Sequence, residues 1–432
     1  MIMAREMRNS GIKWIGTIPS DWTIVPLKVL FSFGKGLSIT KADLVEEGCA
    51  VISYGQIHSK KNSGTSVCEE LIRFIPKKLA YLQSRVKKGN FIFADTSEDL
   101  EGCGNCVYID EDREIFAGYH TIILRQKKQI NDNKYFAYLF RTDCWRKQIR
   151  TEVNGVKLFS ISQNILRRTS LITPPLPEQQ AIANFLDAKC AEIDGLLADL
   201  DTEIKILAKY KKSIIAETVT HGLNPNAPMK QSGIPWAELI PAHWIIQKGK
   251  YTFRLLQRPV KDDDGVITCF RDGEVTLRSN RREDGFTMSA KEYGYQGIEP
   301  GDLVVHGMDG FAGSIGISDS RGKATPVLNV LDSDHNKRYL MYYLRNMAYG
   351  DVFLALSTGI RVRSCDLSWK KLGDIRIVLP PIEEQNAIAE YIDRKIEEIK
   401  NAISTKEAQI ETLKSYKASL IYEYVTGKKQ VI

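Results

Sequence analysis

Cys103 and Cys106 have the spacing of a metal-binding pair, with two residues between them. A structural zinc site needs four ligands, usually from a second Cys-x-x-Cys or a pair of histidines at matching spacing. The six histidines of the chain are scattered and form no such pair. We therefore interpret the two cysteines as free thiols and predict no metal site.

Glu203 and Lys205 are spaced like the end of the carboxylate–lysine motif of nucleases. The residue between them, Ile204, belongs to an apolar seam on a long predicted helix. Its two charged neighbours are then flanking charges of that helix. We expect no catalytic role for them.

Loops that hold nucleotides or cofactors are also missing from the sequence. No GxxxxGK[ST] motif occurs, which argues against ATP hydrolysis by this chain. The stretch 224–228, Asn-Pro-Asn-Ala-Pro, lacks the aromatic residue with which amino-methyltransferases hold a flipped base. The glycine-containing segment 311–316 lacks the strand–helix setting of a dinucleotide loop, so we predict a turn. The chain has the character of a binding protein, with no catalytic residue that we can name.

The strongest feature is an internal repeat of two separate blocks. The first block is a lead-in, Ser-Gly-Ile-x-Trp followed by Ile-Pro-x-x-Trp, which begins at Ser10 and recurs at Ser232, 222 residues later. The second begins with Pro-Pro-x-x-Glu-Gln at Pro174 and recurs at Pro380, 206 residues later. Roughly 140 residues between the matched ends of each half look almost unrelated. This pattern indicates one kind of task performed on two different targets.

Each second block predicts a long helix with a coiled-coil seam. No proline interrupts 178–220, and apolar residues recur at heptad spacing for about five heptads in both copies. The predicted seam residues are Leu186, Ile193, Leu197, Leu200, Ile204, Leu207 and Ile214 in the first helix, and Ile392, Ile396, Ile399, Ile403, Ile410, Leu413 and Leu420 in the second. Repeats related by a pseudo-twofold axis would pair these helices antiparallel. Packing of each helix on its own domain is the alternative.

The regions between the repeated blocks predict α/β (α+β) domains. Short β-branched and apolar runs alternate with turn signals, and each region has one clear helix, near 134–141 and 338–345. We predict five segments: a first globular domain at 1–174, a helix at 175–222, a linker at 223–231, a second domain at 232–379 and a helix at 380–432.

Charge separates the variable regions from the repeated helices. The net charge is +8 for 1–174 and +3 for 223–380, against −3 for 175–222 and −1 for 381–432. A cationic surface is what nucleic acid requires, although an excess of this size is also ordinary. The chain has no apolar run long enough for a membrane span and no signal-peptide core, and its eight cysteines form no framework, so we expect a cytoplasmic protein.

Two variable α/β regions, each followed by a helix that opens with Pro-Pro-x-x-Glu-Gln, resemble the DNA specificity subunits of type I restriction–modification systems. The lead-in with its two tryptophans is similar to the same family, and the resemblance covers essentially the whole chain. It implies that each variable region is a target recognition domain reading one half of an asymmetric, bipartite double-stranded DNA site. The helices would set the spacing between the halves.

The resemblance also implies partners. Two methyltransferase subunits would dock on the helices and carry S-adenosylmethionine for DNA methylation, and restriction subunits would add ATP- and Mg-dependent cleavage. This chain would hold no cofactor and would have no contact with a membrane.

Side chains that could contact DNA are polar or basic residues near the strands and in equivalent segments after the short helices. Arg, Gln and Asn can make paired contacts with base edges, whereas Lys mostly holds phosphate. The candidates are Tyr54, Gln56, His58, Lys87, Lys88, Asn154, Lys157, Arg278, Arg281, Arg282, Arg361 and Arg363.

Two other functions are compatible with parts of this pattern. One is a fused DNA methyltransferase and endonuclease of the type IIG kind, which the absence of methyltransferase motifs argues against. The other is a coiled-coil assembly protein that does not bind DNA, which the basic variable regions argue against only weakly.

Overall fold

The computed structural model describes residues 5–155, 157–281, 293–356 and 367–431. The chain forms two compact units. Unit 1 consists of Met1–Asp199 with Ala408–Ile432, and unit 2 consists of Leu200–Glu407. Each unit therefore contains one variable region, half of the helix that follows the first region and half of the helix that ends the chain.

Unit 1 contains short strands and helices before the first long helix. The strands are β1 Met7–Asn9, β2 Thr17–Pro19, β3 Thr23–Pro26, β4 Phe31–Lys35, β5 Cys49–Ile52, β6 Arg73–Ile75, β7 Arg85–Val86, β8 Phe91–Ala94, β9 Thr96–Ser97, β10 Cys106–Tyr108, β11 Ile115–Ala117, β12 Thr121–Gln126, β13 Phe159–Ser160 and β14 Ser170–Thr173. The helices are α1 Leu27–Leu30, α2 Tyr54–Ile57, α3 Asn133–Arg141, α4 Asp143–Arg150, α5 Gln163–Arg168 and the long α6 Leu176–His221.

Unit 2 repeats this order with fewer strands. They are β15 Met229–Gln231, β16 Leu239–Pro241, β17 Ile245–Lys248, β18 Arg254–Leu255, β19 Ile267–Cys269, β20 Val275–Leu277, β21 Gln296–Ile298, β22 Leu303–His306, β23 Ile315–Ile317, β24 Gly322–Ala324, β25 Leu328–Asp332 and β26 Arg376–Leu379. The helices are α7 Gly249–Thr252, α8 Lys337–Tyr349, α9 Val352–Ala355, α10 Trp369–Asp374 and the long α11 Ile382–Val425.

The two variable regions share one topology despite their unlike sequences. The antiparallel sheet of unit 1 has the order β10-β8-β12-β4, and that of unit 2 has the matching order β23-β22-β25-β18. The pair β3–β14 corresponds to β17–β26, and β1–β2 corresponds to β15–β16. Unit 1 has a second sheet, β6-β5-β11-β7, in which β5 and β11 are parallel. This confirms the predicted mixed α/β class.

Aromatic side chains fill the core of unit 1 where α3 packs on the antiparallel sheet. Phe31, Phe91, Phe93 and Phe140 contact one another edge-to-face or tilted, and Trp145 lies 4.4 Å from Phe140 between ring centroids. Such pairs add to the stabilisation from burial alone. Residues 135–140 of α3 are all buried, so the helix predicted near 134–141 is part of this core.

The two long helices pack together within each unit, and their directions are antiparallel. In unit 1 Phe185 stacks on Tyr424 at 4.4 Å between centroids, and Lys417 forms an ion pair with Asp194. In unit 2 Lys406 forms an ion pair with Glu203. In unit 1 the contacts advance along α6 from Phe185 to Asp194 while they move back along α11 from Tyr424 to Lys417, so the helices are antiparallel. The predicted intramolecular antiparallel coiled coil is confirmed.

Burial along the helices agrees with the predicted seam. All fourteen predicted seam residues are buried or half-buried, and none is exposed. Burial is deepest where the helices adjoin the globular regions, as for Leu186 and Ile392. At 1.5 Å per residue, helices of 46 and 44 residues are each roughly 65–70 Å long. Among the described residues, no helix is both long and apolar enough to cross a membrane.

Several predicted boundaries shift by a few residues. Strand β5 ends at Ile52, because Ser53 caps α2 and Tyr54 begins that helix rather than extending the strand. The predicted linker 223–231 includes β15, which pairs with β16 as β1 pairs with β2. The segment 311–316 is a turn only in its first part: a short 3-10 helix ends at Gly313 with a φ of 96°, and Ile315 and Gly316 already belong to β23.

Equivalent lysines of the two long helices have opposite environments. Lys417 pairs with Asp194, whereas Lys211, which corresponds to Lys417, is half-buried in unit 2 near Arg345 and Lys400. Burial lowers the pKa of Lys211, and the two cations lower it further, while Asp272 partly opposes them. Its charge therefore destabilises the folded state below that pKa, and the penalty is relieved as pH rises toward the ordinary lysine value.

We expect Lys211→Met to raise the free energy of unfolding at neutral pH by about 0.5–1 kcal/mol. Lys417→Met at the equivalent position should lower it by a similar amount, because it leaves Asp194 without its cation. Chemical denaturation of the two variants beside the parent protein measures both effects. Equal changes of the same sign would contradict the assigned environments.

Candidate nucleic-acid interface

The repeated tryptophan and glutamate residues bond to each other in both units. The Trp22 Nε1 donates to Glu178 at 2.9 Å, and the Trp244 Nε1 donates to Glu384 at 3.0 Å. Both indoles are almost fully buried. The lead-in and the start of the following helix are thereby joined in each half. Glu178 and Glu384 lie in the first turns of α6 and α11, where the positive end of the helix dipole favours a carboxylate, and they also accept these indole hydrogen bonds.

The glutamine of each Pro-Pro-x-x-Glu-Gln motif anchors the short helix that packs on the sheet. Gln179 Oε1 accepts from the backbone N–H of Asp132, which caps α3, at 2.9 Å. Gln385 Oε1 accepts from the backbone N–H of Asn336, which caps α8, at 3.0 Å. Both glutamines are buried. Because a buried amide must be hydrogen-bonded within the protein, these bonds fix the position of the short helix.

Equivalent tyrosines on α3 and α8 bind the end of a long helix. The Tyr135 hydroxyl donates to the carbonyl of Val425 at 2.9 Å. The Tyr339 hydroxyl donates to the carbonyl of Val378 at 2.8 Å and also lies 3.4 Å from the carbonyl of Val219. Burial raises the pKa of both tyrosines well above its usual value, so the hydroxyls stay protonated donors. The repeated residues thus contact one another, and together they form a frame that we call the helix frame of each unit.

The variable residues form an edge at the other end of the central strand. In unit 1 the strand β12 starts at Thr121 beside this edge, and its far end leads to Asp132 and the helix frame. In unit 2 β25 starts at Leu328 beside the edge and leads to Asn336. At about 3.3 Å per residue, strands of five or six residues separate frame and edge by about 15–20 Å. Within each unit, the surface formed by residues that differ between the halves is therefore remote from the surface formed by the repeated residues.

The edge of unit 1, which we call edge 1, carries a cluster of rings. The Tyr54 ring lies 5.6 Å from Tyr119, 5.5 Å from His120 and 6.3 Å from His58, between centroids. His120 is exposed at the tip between β11 and β12, with a left-handed φ of 55° that is uncommon for a residue other than glycine. The His120 Nδ1 lies 3.2 Å from an Asp95 oxygen. His120 was not among the contact residues predicted from the sequence. Its left-handed backbone, which marks it as unusual, can be seen only in the structure.

Two of the predicted contact residues of edge 1 are occupied by internal hydrogen bonds. The Gln56 side chain accepts from the Ser53 backbone N–H and completes the cap of α2. His58 lies 2.8 Å from the Thr96 carbonyl through Nε2, so Nε2 is the donor, and Nδ1 faces the Asn105 amide at 3.1 Å. The side chains of Gln56 and His58 therefore orient the loops around Tyr54. Of these three predicted contact residues, Tyr54 has the ring that remains accessible.

The loop that contains Asn154 and Lys157 belongs to edge 1. Both residues are exposed after α4, and the following strand β13 pairs with β9, which directly follows Asp95. The structure therefore brings these two predicted residues near the same edge as Tyr54 and His120.

Lys87 and Lys88 lie elsewhere. They precede β8 at the end nearer the helix frame, where the neighbouring Gly89 carbonyl accepts from Asn133 of α3. The structure does not place them with the other predicted contacts of unit 1.

The corresponding edge of unit 2, which we call edge 2, surrounds an open depression of about 870 Å³. The depression is lined by the segment after β19, the end of β22 at His306, and residues before β25. Edge 1 has a depression of about 570 Å³ at the same topological position, with Tyr54, His58 and Asn105 in its lining. Two regions of unlike sequence thus form an open site in the same place.

Basic side chains at edge 2 differ in their partners. Arg281 is held by Asp272 at 2.6 Å and Glu274 at 3.1 Å and lies 4.3 Å above the Phe270 ring. The hydrogen bond that Arg281 donates to Asp272 raises the pKa of Arg281. Arg278 contacts the Thr268 hydroxyl through Nε at 3.4 Å and lines the depression. The predicted contacts Arg282, Arg361 and Arg363 lie outside the described residues.

Other polar groups of edge 2 are fixed by the loop after β22. The His306 Nδ1 accepts from the backbone N–H groups of Met308 and Asp309, so the ring carries its proton on Nε2. Burial lowers the pKa of His306, which keeps the ring neutral at physiological pH. The Ser314 hydroxyl is buried in the wall and has no hydrogen-bond partner among the described residues.

Comparison with known proteins shows which proteins this chain is similar to. Residues 19–205 match a family described as "Type I restriction modification DNA specificity domain". The chain is 21% identical to the type I restriction enzyme StySPI specificity subunit of Salmonella potsdam, over 91% of this chain and 85% of that protein. It is 25% identical to a putative type I restriction enzyme MjaX specificity subunit of Methanocaldococcus jannaschii, over 96% of each chain.

Over almost its whole length, the chain is thus similar to specificity subunits of type I restriction enzymes. Its fold also matches a chain from a structure concerned with complex assembly and conformational transition of the type I R-M system. The TM-score is 0.69 at 16% identity, over 95% of this chain and 99% of that one. At this identity the match supports the fold of this chain alone.

Cys103 and Cys106, which have the spacing of a metal-binding pair, are both buried and free. Burial raises the pKa of the Cys106 thiol to about 12 and also raises that of Cys103. In the part of the chain that the structure describes, no group of three or more His, Cys, Asp or Glu side chains could hold a metal ion.

Proposed function

We propose that this chain is the DNA-recognition subunit of a type I restriction–modification complex, in which each unit reads one half of a bipartite DNA site. This proposal is supported by where the residues that differ between the two halves lie in each unit. Residues repeated between the halves form the helix frames, whereas unlike residues form open edges at one topological position in both units. A reader of two different half-sites on one scaffold needs this separation.

The two edges differ in chemistry, which favours an asymmetric site. Edge 1 offers the rings of Tyr54, Tyr119 and His120, while edge 2 offers Arg271 and Arg278 at its depression. Aromatic and carboxylate groups suit thymine methyls and amino donors, whereas arginine suits the acceptors of guanine. A homodimeric reader would present the same chemistry twice and would select a palindrome.

The long helices would fix the number of unread base pairs between the half-sites. Each helix extends through parts of both units, and its length is set by backbone geometry rather than by side-chain contacts. The paired seam would hold this length against bending.

Exposed apolar side chains on the helices support docking of two methyltransferase subunits. Tyr210 and Tyr416 occupy equivalent positions of the repeat and are 52% and 54% exposed, outside the seam. Equivalent surfaces suit two copies of one partner. Those subunits would supply S-adenosylmethionine, restriction subunits would supply ATP- and Mg-dependent cleavage, and this chain would hold no cofactor. We place the complex in the cytoplasm, where free thiols such as those described here persist.

We expect Tyr210→Asp and Tyr416→Asp each to weaken binding of one methyltransferase subunit by about tenfold or more, because a charge replaces an apolar contact. The double variant should lose both copies. Size-exclusion chromatography with light scattering, using purified methyltransferase subunit, counts the bound copies. Glu411→Gln, on an exposed part of the same helix, is the matched control and should leave the count at two. Two bound copies in the double variant would contradict this docking surface.

Methyl transfer separates this proposal from a fused methyltransferase–endonuclease. The purified chain alone, with labelled S-adenosylmethionine and DNA, should transfer no label, and addition of the methyltransferase subunit should restore transfer at one bipartite sequence. Label transfer by the chain alone would contradict the proposal. A coiled-coil assembly protein without DNA contact would restore no sequence-specific transfer.

A further inference from the structure

Arg271 differs from the other arginines of edge 2 in how it is held. It follows β19 in the turn 270–274, and its side chain is 61% exposed. The Nη2 donates to Asp309 at 3.0 Å, so one corner of the guanidinium is fixed while Nη1 and Nε take no part in that pair. An exposed arginine fixed at one corner keeps donors for a second, outside partner.

The support of Asp309 is itself rigid. Its backbone N–H donates to the neutral His306 ring at 3.0 Å, and its carbonyl accepts from the Ala312 and Ser314 backbone N–H groups. A guanidinium held in this way loses less conformational freedom on binding than a free surface arginine does. The loop after β22 thus pre-organises Arg271 at the rim of the depression.

The geometry points to Arg271 as a residue that determines specificity, selecting a guanine in the half-site read by unit 2. Arginine pairs its two N–H donors with the O6 and N7 acceptors of guanine in the major groove, and no other base offers that pair of acceptors. Asp309 is the positioning residue of this contact. The inference rests on the proposed DNA-reading function of edge 2.

Arg281 provides a contrast within the same depression. Two carboxylates hold it, and it lies over the Phe270 ring, so its donors are committed to the protein. Its role is to keep the turn 270–274 in shape. A comparison of the two arginines therefore separates base reading from local structure.

The test uses the complex of the full chain with its methyltransferase subunits and a DNA library randomised at each half-site position. For Arg271→Ala we expect one guanine position in one half-site to relax, with discrimination against the other bases falling about 10- to 100-fold. Arg271→Lys should also lose discrimination at that position while retaining affinity, because lysine cannot make the paired contact. Asp309→Asn should relax the same position to a smaller degree.

The matched control is Arg281→Gln, which should leave the preferred sequence unchanged and lower only thermal stability. A uniform loss of binding across all sequences in Arg271→Ala would overturn the inference, since it would identify a phosphate contact. An unchanged preference in both Arg271 variants would also overturn it. Failure of the proposed function gives a different result, namely no bipartite preference in the unmodified complex.

Discussion

Insertion of one heptad into each long helix is expected to lengthen the unread gap of the DNA site by about three base pairs and to leave both half-sites unchanged. Seven helical residues add about 10 Å, and each base pair of DNA spans about 3.4 Å. The natural insertion points are between Asp199 and Leu200 and between Glu407 and Ala408, where the two units divide. Both edges and both helix frames lie away from these points.

The result depends on keeping the seam in register. A heptad restores the same face of the helix, so the seam residues on either side still pair. Insertion into α6 alone is the matched control. It should disrupt the pairing of Lys406 with Glu203 or of Lys417 with Asp194 and abolish specific binding. Methylation mapping of the double insertion measures the gap, and an unchanged gap with altered half-sites would contradict the role of the helices.

Replacement of a frame tryptophan should have the largest effect on stability. Trp244→Ala removes a fully buried indole and its bond to Glu384, which we expect to cost about 3–5 kcal/mol. Trp22→Ala should cost about the same in unit 1. Trp236→Ala is the matched control with a smaller expected loss, because that indole is only half-buried.

Because the protein has two units, the loss should be local. Hydrogen exchange should show faster exchange in unit 2 for Trp244→Ala and in unit 1 for Trp22→Ala. Methylation at the bipartite site should fall in both variants, since each would lose one reader. Equal acceleration throughout the chain for either variant would contradict the independence of the two helix frames.

The sequence was most informative where interactions are local or repeated. The heptad seam predicted α6 and α11, and all of its apolar positions are buried or half-buried. Apolar spacing likewise predicted α3 and α8 within a few residues. The repeated Trp, Glu and Gln residues were recognised as equivalent, although their hydrogen bonds to each other emerge only from the structure.

The sequence was least informative about the variable regions. The shared sheet order arises from pairing between strands distant along the chain, and the two halves fill that order with different residues. Contact residues were equally hard to predict, because a polar side chain can serve either the protein or a ligand. His58 and Arg281 bond within their own unit, whereas Arg271 and His120 were not among the predicted contacts and are exposed at the edges. The positions of the neighbouring loops decide which polar side chains bond within the protein and which remain exposed at an edge.

The central claim is that unlike edges on one repeated scaffold read two different half-sites. The most direct measurement is single-molecule methylation mapping of the assembled complex, with and without exchange of residues 254–356 for the corresponding segment of a type I specificity subunit. We predict one asymmetric bipartite sequence in which the exchange changes only one half and preserves the gap. A palindromic or continuous sequence, or a change in both halves after the exchange, would contradict the claim.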